Sequence, residues 1–321
     1  MATLTSTAAT KDLNRSWLRA SALGAIVWTA AVALLGPGLD SDGRTLAGIQ
    51  LLLSPLALLP LAVALIRLDS ATRFGRITVW SQLPAAVLLV AAFAVPAGSL
   101  AAVLTAPWLA FTLLLALVGL ARLTERQLWT HAELAVTAGL IYVAVGGAWT
   151  FASRLGRGFL GFEEPIVLLT GAHFHYAGLL LLILTGLGAR QLRDAMAKVA
   201  CIAVIISVPA VAVGITLAAQ GMPLPELLAA IVMTVTGFII ATLQFRLARR
   251  AKSPLPSILF ALSGISLFAG MALGAAYALG HYTHADWLTI PQMIRYHAVI
   301  NVFGFALPGL LAWHTSPEPG A

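Results

Sequence analysis

The chain has 321 residues, of which 60% are hydrophobic and only 10% are charged, and its mean hydropathy is +0.94. A soluble domain carries roughly a quarter charged residues, so too few charges are present to cover a water-soluble globule of this size. The net charge of +7 does not indicate a nucleic-acid partner, because the basic residues lie in short clusters between long apolar stretches.

Apolar stretches long enough to cross a bilayer recur along the whole chain, since a transmembrane helix needs about 20 such residues. Residues 1–15 are expected to be a flexible cytoplasmic tail, residues 16–315 a single transmembrane helical domain, and residues 316–321 a short tail. The predicted spans cover residues 17–36, 47–67, 77–97, 100–122, 131–152, 165–188, 198–219, 225–247, 256–280 and 291–314. The sequence therefore predicts an all-α fold, a polytopic transmembrane helix bundle of about ten spans.

The basic residues test this count, because cytoplasmic connections are enriched in lysine and arginine. With the N-terminus inside, all but four of the 19 basic residues fall in or beside the inner segments. The four on the outer side are Arg44, Arg154, Arg157 and Arg295. An extra or missing helix midway would scramble this alternation, so the pattern favours ten spans with both termini cytoplasmic.

Tryptophans and the single cysteine have simple interpretations. Trp17, Trp80, Trp108, Trp149, Trp287 and Trp313 lie near predicted membrane interfaces, where aromatic belts are common. Cys201 is the only cysteine, which excludes a disulfide within the chain and a cysteine metal site.

Polar residues that are costly to bury in lipid gather in two of the predicted spans, and such residues raise a functional question. The sixth span follows a pair of glutamates and contains two histidines and a tyrosine, whereas the tenth begins with an arginine, a histidine and an asparagine. The candidate catalytic residues are Glu163, Glu164, His173, His175, Tyr176, Arg295, His297 and Asn301.

Helical geometry limits how these side chains can cooperate. His297 and Asn301 are four residues apart and share a helix face. His173 and His175 are two residues apart, about 200° around an ideal helix, so both can line one site only if the backbone is irregular there. At 1.5 Å per residue all three histidines lie about 9–15 Å below the outer boundary. The alternative is that each histidine is structural and hydrogen-bonds across a helix interface.

Two segments carry a family resemblance. His173-Phe174-His175-Tyr176-Ala177-Gly178 and the stretch from His297 to Phe305 resemble signatures of YndJ-like bacterial membrane proteins, although Ala298 stands where that pattern has glycine. The resemblance implies a multi-span architecture in the bacterial inner (cytoplasmic) membrane. It also implies that His173, His175, His297 and Asn301 form one constellation.

Three function classes stay open at this stage. The favoured hypothesis is a membrane-embedded enzyme that uses histidine, tyrosine and carboxylate acid–base chemistry on a lipophilic, polyketide- or terpenoid-like substrate, as an isomerase, cyclase or epoxide-opening enzyme. No nucleotide, flavin or phosphate motif is present, so we expect no cofactor and no metal. The alternatives are a transporter of a small or lipophilic solute and a haem- or metal-binding redox protein. The expected partners are the lipid bilayer and a lipophilic small molecule.

Overall fold

A computed structural model describes residues 2–36, 43–66, 73–285 and 287–316, without the side chains of 2–13 and 73–76. The described chain folds into ten long helices joined by short connections. In chain order they are α1 (Ala2–Leu35), α2 (Arg44–Ile66), α3 (Arg73–Phe93), α4 (Ser99–Arg122), α5 (His131–Leu155), α6 (Ile166–Leu192), α7 (Ala195–Ala219), α8 (Pro223–Arg250), α9 (Pro254–Tyr282) and α10 (Ile290–Thr315).

These helices confirm the predicted all-α polytopic fold. Among the described residues nine helices are long and apolar enough to cross a membrane, and the apolar part of α3, Ile77–Phe93, is shorter. The predicted break between the third and fourth spans is present: α3 ends at Phe93, and Gly98, with a φ of 151°, directly precedes α4. The backbone of α1 is helical from Ala2, whereas residues 317–321 of the predicted C-terminal tail lie outside the described residues.

The described chain forms two compact units. The first contains the described residues of 1–40, 44–128 and 137–180, and the second those of 41–43, 129–136 and 181–321. The first unit therefore holds α1 to α4, most of α5 and the beginning of α6. The second holds the start of α5, the end of α6 and α7 to α10. The predictions of a flexible first tail and of one transmembrane domain stay predictions.

Two prolines shape α2, the most thoroughly buried helix of the first unit. Pro55 and Pro60 lack a backbone N–H and cannot donate to an earlier carbonyl. Between Ser54 and Leu58 the helix widens to a π-turn, in which each N–H reaches back five residues, as the Leu59 N–H does to the Ser54 carbonyl. With that spacing the two prolines cannot donate to the carbonyls of residues 50 and 55.

Side chains from neighbouring helices supply those donors. The Tyr176 hydroxyl of α6 donates to the Gln50 carbonyl at 2.6 Å, and Gln82 Nε2 of α3 donates to the Pro55 carbonyl at 2.6 Å. Ser21 Oγ of α1 donates to the Ala57 carbonyl at 2.9 Å. Every backbone polar group in lipid needs a partner within the protein, so these bonds make the interrupted helix stable there.

Ion pairs join consecutive helices of the second unit. Arg190 of α6 donates two hydrogen bonds to the carboxylate of Glu133 at 2.6 and 2.8 Å. Arg246 of α8 pairs with Asp194, which caps α7, and its hydrogen bond lowers the pKa of the Asp194 carboxyl below the ordinary value. Glu133, an acidic residue within a predicted span, is therefore neutralised by a basic partner.

Candidate functional site

The backbone is irregular at the predicted site residues in both units. In α6 a π-helical segment runs from Tyr176 to Leu181, directly after His175. In α10 two such segments, Met293–Ala298 and Ile300–Ala306, contain His297 and Asn301. Single π-helical turns within α-helices occur frequently at functional sites, because the extra residue redirects side chains and frees backbone groups.

His175 in the first unit is held at both ring nitrogens. Its Nδ1 lies 2.7 Å from the Gly171 carbonyl, which can only accept, so Nδ1 carries the proton. The lone pair on Nε2 accepts a hydrogen bond from Trp108 Nε1 at 3.0 Å. The side chain is completely buried, and a Cβ on Gly146 of α5 would lie 2.8 Å from Nδ1. His175 therefore ties α4 to α6 against a glycine of α5.

Trp108 was the partner that sequence reasoning missed. The prediction that Trp17 and Trp108 belong to an interfacial aromatic belt is wrong, because the two are only 1% and 0% exposed. Trp108 lies nine residues into α4, about 14 Å along the helix axis. Its indole N–H can be buried at that depth because His175 accepts its hydrogen bond. The pairing joins residues that are distant in sequence, so no local pattern could reveal it.

His297 in the second unit is held at one nitrogen only. Its Nδ1 donates to the Gly270 carbonyl of α9 at 2.7 Å, and Asn301 Nδ2 donates to the His297 carbonyl at 2.8 Å. The side chain is half-buried, and among the described residues none forms a hydrogen bond with Nε2. Because Nδ1 carries the proton, Nε2 holds the lone pair of a neutral imidazole.

Two glycines of α9 make room for this arrangement. A Cβ on Gly270 would overlap the side-chain amide of Asn301, and a Cβ on Gly274 would lie 3.5 Å from His297 Cε1. The ring thus lies along the Gly270-to-Gly274 face of α9. Residues 270–274 form a GxxxG motif, and its two glycines make room for polar side chains of α10 as well as for close backbone approach.

The remaining predicted residues differ in exposure and in bonding. Glu163 and Arg295 are exposed. Glu164 is half-buried and accepts a weak hydrogen bond from the Leu168 N–H at 3.4 Å, while its Oε1 is buried without a hydrogen-bond partner among the described residues. His173 is half-buried, and Tyr176 bonds to α2 as described above. The described residues contain no group of three or more His, Cys, Asp or Glu side chains that could hold a metal ion.

The structure thus places the predicted residues in two groups. Glu163, Glu164, His173, His175 and Tyr176 belong to the first unit, and the tenth-helix residues to the second. The prediction that the histidines of α6 and α10 form one constellation stays a prediction. Within the second unit the structure adds Gly270, whose carbonyl bonds to His297, and Tyr277 and His281 farther along α9. Glu226 of α8 pairs with His281.

Comparisons with known proteins agree with the multi-span architecture. The model of the family described as YndJ-like protein matches residues 49–305 of this chain. A relative, the uncharacterized membrane protein YndJ of Bacillus subtilis (strain 168), is 33% identical over 208 residues, which is 64% of this chain and 37% of the relative. The chain thus aligns with little more than a third of that relative's length. No solved structure matches.

Proposed function

Since the chain belongs to the YndJ-like family of multi-span membrane proteins, we propose that it is a membrane-embedded enzyme that moves a proton on a lipophilic substrate, with His297 as the base. The reaction class is cofactor-free isomerisation, cyclisation or epoxide opening, and the compartment is the bacterial inner membrane. Arg295 is exposed two residues before His297 in α10, and it would hold the polar end of the substrate.

The observation that supports this proposal most is the state of the His297 ring. Its Nδ1–H bond to the Gly270 carbonyl fixes both the tautomer and the ring orientation. A second hydrogen bond of this kind is what orients histidine bases and metal ligands. Nε2 is left with a lone pair on a half-buried side chain, where a lipid-phase molecule can approach it. A general base needs both that lone pair and that access.

The chemistry needs no external reactant. Nε2 would take a proton from a carbon or hydroxyl of the substrate while a bond rearranges, and the imidazolium would return a proton at another position. The product is then an isomer of the substrate, with no change in oxidation state. In the first unit the candidate acids and bases are Glu163, Glu164, His173 and Tyr176. His175 would first have to break one of its two hydrogen bonds.

Deuterium transfer tests the proposal without knowledge of the substrate. Purified protein in lipid nanodiscs is incubated in D₂O with a total lipid extract of the native bacterium, and the lipids are analysed by mass spectrometry. A proton-transfer enzyme gives lipids that gain about 1 Da or change retention at constant mass, because the imidazolium exchanges with solvent. If the native protein gives no lipid of either kind, the proposal is wrong.

The variant His297→Asn sharpens this experiment. The asparagine amide can still donate to the Gly270 carbonyl in place of Nδ1–H, yet no atom replaces Nε2. We therefore expect a folded protein without deuterium transfer. His284→Asn is the matched control, because His284 is exposed and has a φ of 56°, a conformation that asparagine adopts readily. Equal transfer by the two variants would contradict the assignment of His297.

A transporter is the second candidate, and the interruptions of α2, α6 and α10 favour it. Transporter sites are often formed by discontinuous helices near the middle of the bilayer. The same experiment separates the two functions. A transporter leaves every lipid chemically unchanged in D₂O, and His297→Asn would instead change how much of the extract is retained inside sealed proteoliposomes.

A further inference from the structure

Basic side chains are concentrated where α8 ends and α9 begins. Arg249, Arg250 and Lys252 lie within four residues of one another along the chain, and all three are exposed. The Ser257 hydroxyl donates to the Ala248 carbonyl at 2.9 Å, which holds the first turn of α9 against the last turn of α8. Residues 249–253, the basic connection, are therefore fixed between two packed helix ends.

The positive charge of the basic connection is not balanced by nearby carboxylates. Asp194 already pairs with Arg246, and Glu133 already pairs with Arg190. Among the described residues no carboxylate forms an ion pair with the basic connection. Ser253, which directly precedes α9, makes no side-chain capping bond, so its hydroxyl can donate to a ligand. The basic connection therefore offers cations and a hydroxyl donor to an anion.

A stripe of exposed apolar side chains begins directly after the basic connection and follows α9. Leu255, Ile258, Leu262 and Ile265 are separated by three, four and three residues, which places them on one face of the helix. These four side chains are between 43% and 64% exposed. Apolar side chains on the outer surface of a transmembrane helix face the acyl chains of the bilayer, so this stripe is a lipid-facing stripe.

A stacked aromatic pair joins α8 and α9 farther along the same helices. The rings of Phe238 and Phe268 have their centroids 4.1 Å apart and their planes 15° apart, and Phe268 is 49% exposed. Phe238 lies eleven residues before Arg249, about three helical turns, so both share one face of α8. The helix rises about 16 Å between them, which is about half of the roughly 30 Å hydrocarbon core. The surface between the aromatic pair and the basic connection therefore has the length of one leaflet.

We propose that this surface binds an anionic phospholipid, with the phosphate at the basic connection and an acyl chain along the lipid-facing stripe. Arginine and lysine side chains donate charge-assisted hydrogen bonds to phosphate oxygens, and clusters of them beside transmembrane helices attract anionic lipids. Phosphatidylglycerol fits best, because its glycerol headgroup adds no positive charge. Phosphatidylcholine carries the same phosphate together with an ammonium group, which the basic connection repels. The site would function whether or not His297 is a base.

Native mass spectrometry of the full chain in detergent measures this binding. Lipid-bound and lipid-free protein are quantified during titration with dioleoylphosphatidylglycerol, with dioleoylphosphatidylcholine and with glycerol phosphate, which has the anionic group without acyl chains. We expect the anionic lipid to bind roughly tenfold more tightly than the zwitterionic lipid, and glycerol phosphate to bind far more weakly than either. Equal affinities for the two lipids would overturn the proposal. Binding of glycerol phosphate as tight as that of the anionic lipid would overturn it too, because the acyl chain would then contribute nothing.

A pair of double variants locates the site. Arg249→Gln with Arg250→Gln should weaken binding of dioleoylphosphatidylglycerol roughly thirtyfold, about fivefold for each charge removed. The matched control is Arg126→Gln with Lys198→Gln, which removes two charges at exposed positions elsewhere and should bind with native affinity. All four side chains are exposed, so both proteins should unfold at the native temperature. An equal loss of affinity in the two double variants would show a general effect of charge and would contradict a site at the basic connection.

Discussion

His175 and His297 begin from the same arrangement and end with different capabilities. Each donates its Nδ1–H to a glycine carbonyl at 2.7 Å, which fixes the same tautomer. In the first unit Trp108 occupies the second nitrogen and the ring is completely buried. In the second unit the ring is half-buried and the second nitrogen has no hydrogen-bond partner among the described residues.

Depth in a membrane does not by itself make a histidine reactive. A buried polar group must be satisfied or it costs stability. His175 meets that demand twice and becomes a tie between helices. His297 meets it once, so its lone pair is available. The environment of Nε2, rather than the residue type or its depth, separates the structural histidine from the candidate base.

Removing the free nitrogen of His297 should have the largest effect. His297→Asn is expected to lower deuterium transfer by about 10²–10⁴-fold, the usual contribution of a general base. Its thermal unfolding temperature should stay close to the native one because the bond to Gly270 is retained. Full activity in His297→Asn would show that His297 is as structural as His175.

Removing the donor to His175 should change stability instead of activity. In Trp108→Phe the Nε2 acceptor is left buried without a donor, at a cost of about 1–3 kcal/mol in the free energy of unfolding. Denaturation in mixed micelles measures that loss. The control is Trp80→Phe, at a tryptophan 79% exposed on the helix surface. A Trp108→Phe protein as stable as Trp80→Phe would show that the bond to His175 contributes nothing.

A methyl group added at Gly270 of α9 tests whether His297 depends on its neighbours. In Gly270→Ala the new methyl overlaps the Asn301 amide, so we expect about 1–3 kcal/mol of destabilisation from overpacking, together with reduced deuterium transfer. Gly188→Ala is the control, because its Cβ would make an ordinary 3.6 Å contact with Leu247. The same denaturation assay compares the two variants. Equal stabilities would show that the new methyl does not crowd Asn301.

Replacing Asp194 should have the smallest effect, and it tests an ion pair that contacts neither histidine. The hydrogen bond from Arg246 lowers the pKa of the Asp194 carboxyl in the folded protein. Its contribution is therefore present above the ordinary aspartate pKa and is lost as the pH falls through the lowered value. Between about pH 6 and about pH 3 the thermal unfolding temperature should fall slightly less for Asp194→Asn than for the native protein. Identical pH profiles would argue against the pairing.

Much of the architecture could be predicted because lipid imposes simple rules. The number of helices and their approximate bounds follow from the length of the apolar runs. The polar connections between those runs leave little freedom in where each helix begins and ends. The residues of α6 and α10 stood out because polar groups are costly in lipid. The pair Gly270 and Gly274 was visible as a pattern, although its partners were not.

The membrane-spanning all-α fold, the approximate positions of the spans and a short set of candidate residues follow from the sequence. Only the tertiary structure decided what those residues do, because each decision depends on a contact between distant parts of the chain. Trp108 satisfies His175 across 67 residues, and the Gly270 carbonyl orients His297 across 27. Hydrogen bonding requires atoms to meet within about 3 Å, and periodicity along one chain does not specify which helices lie that close.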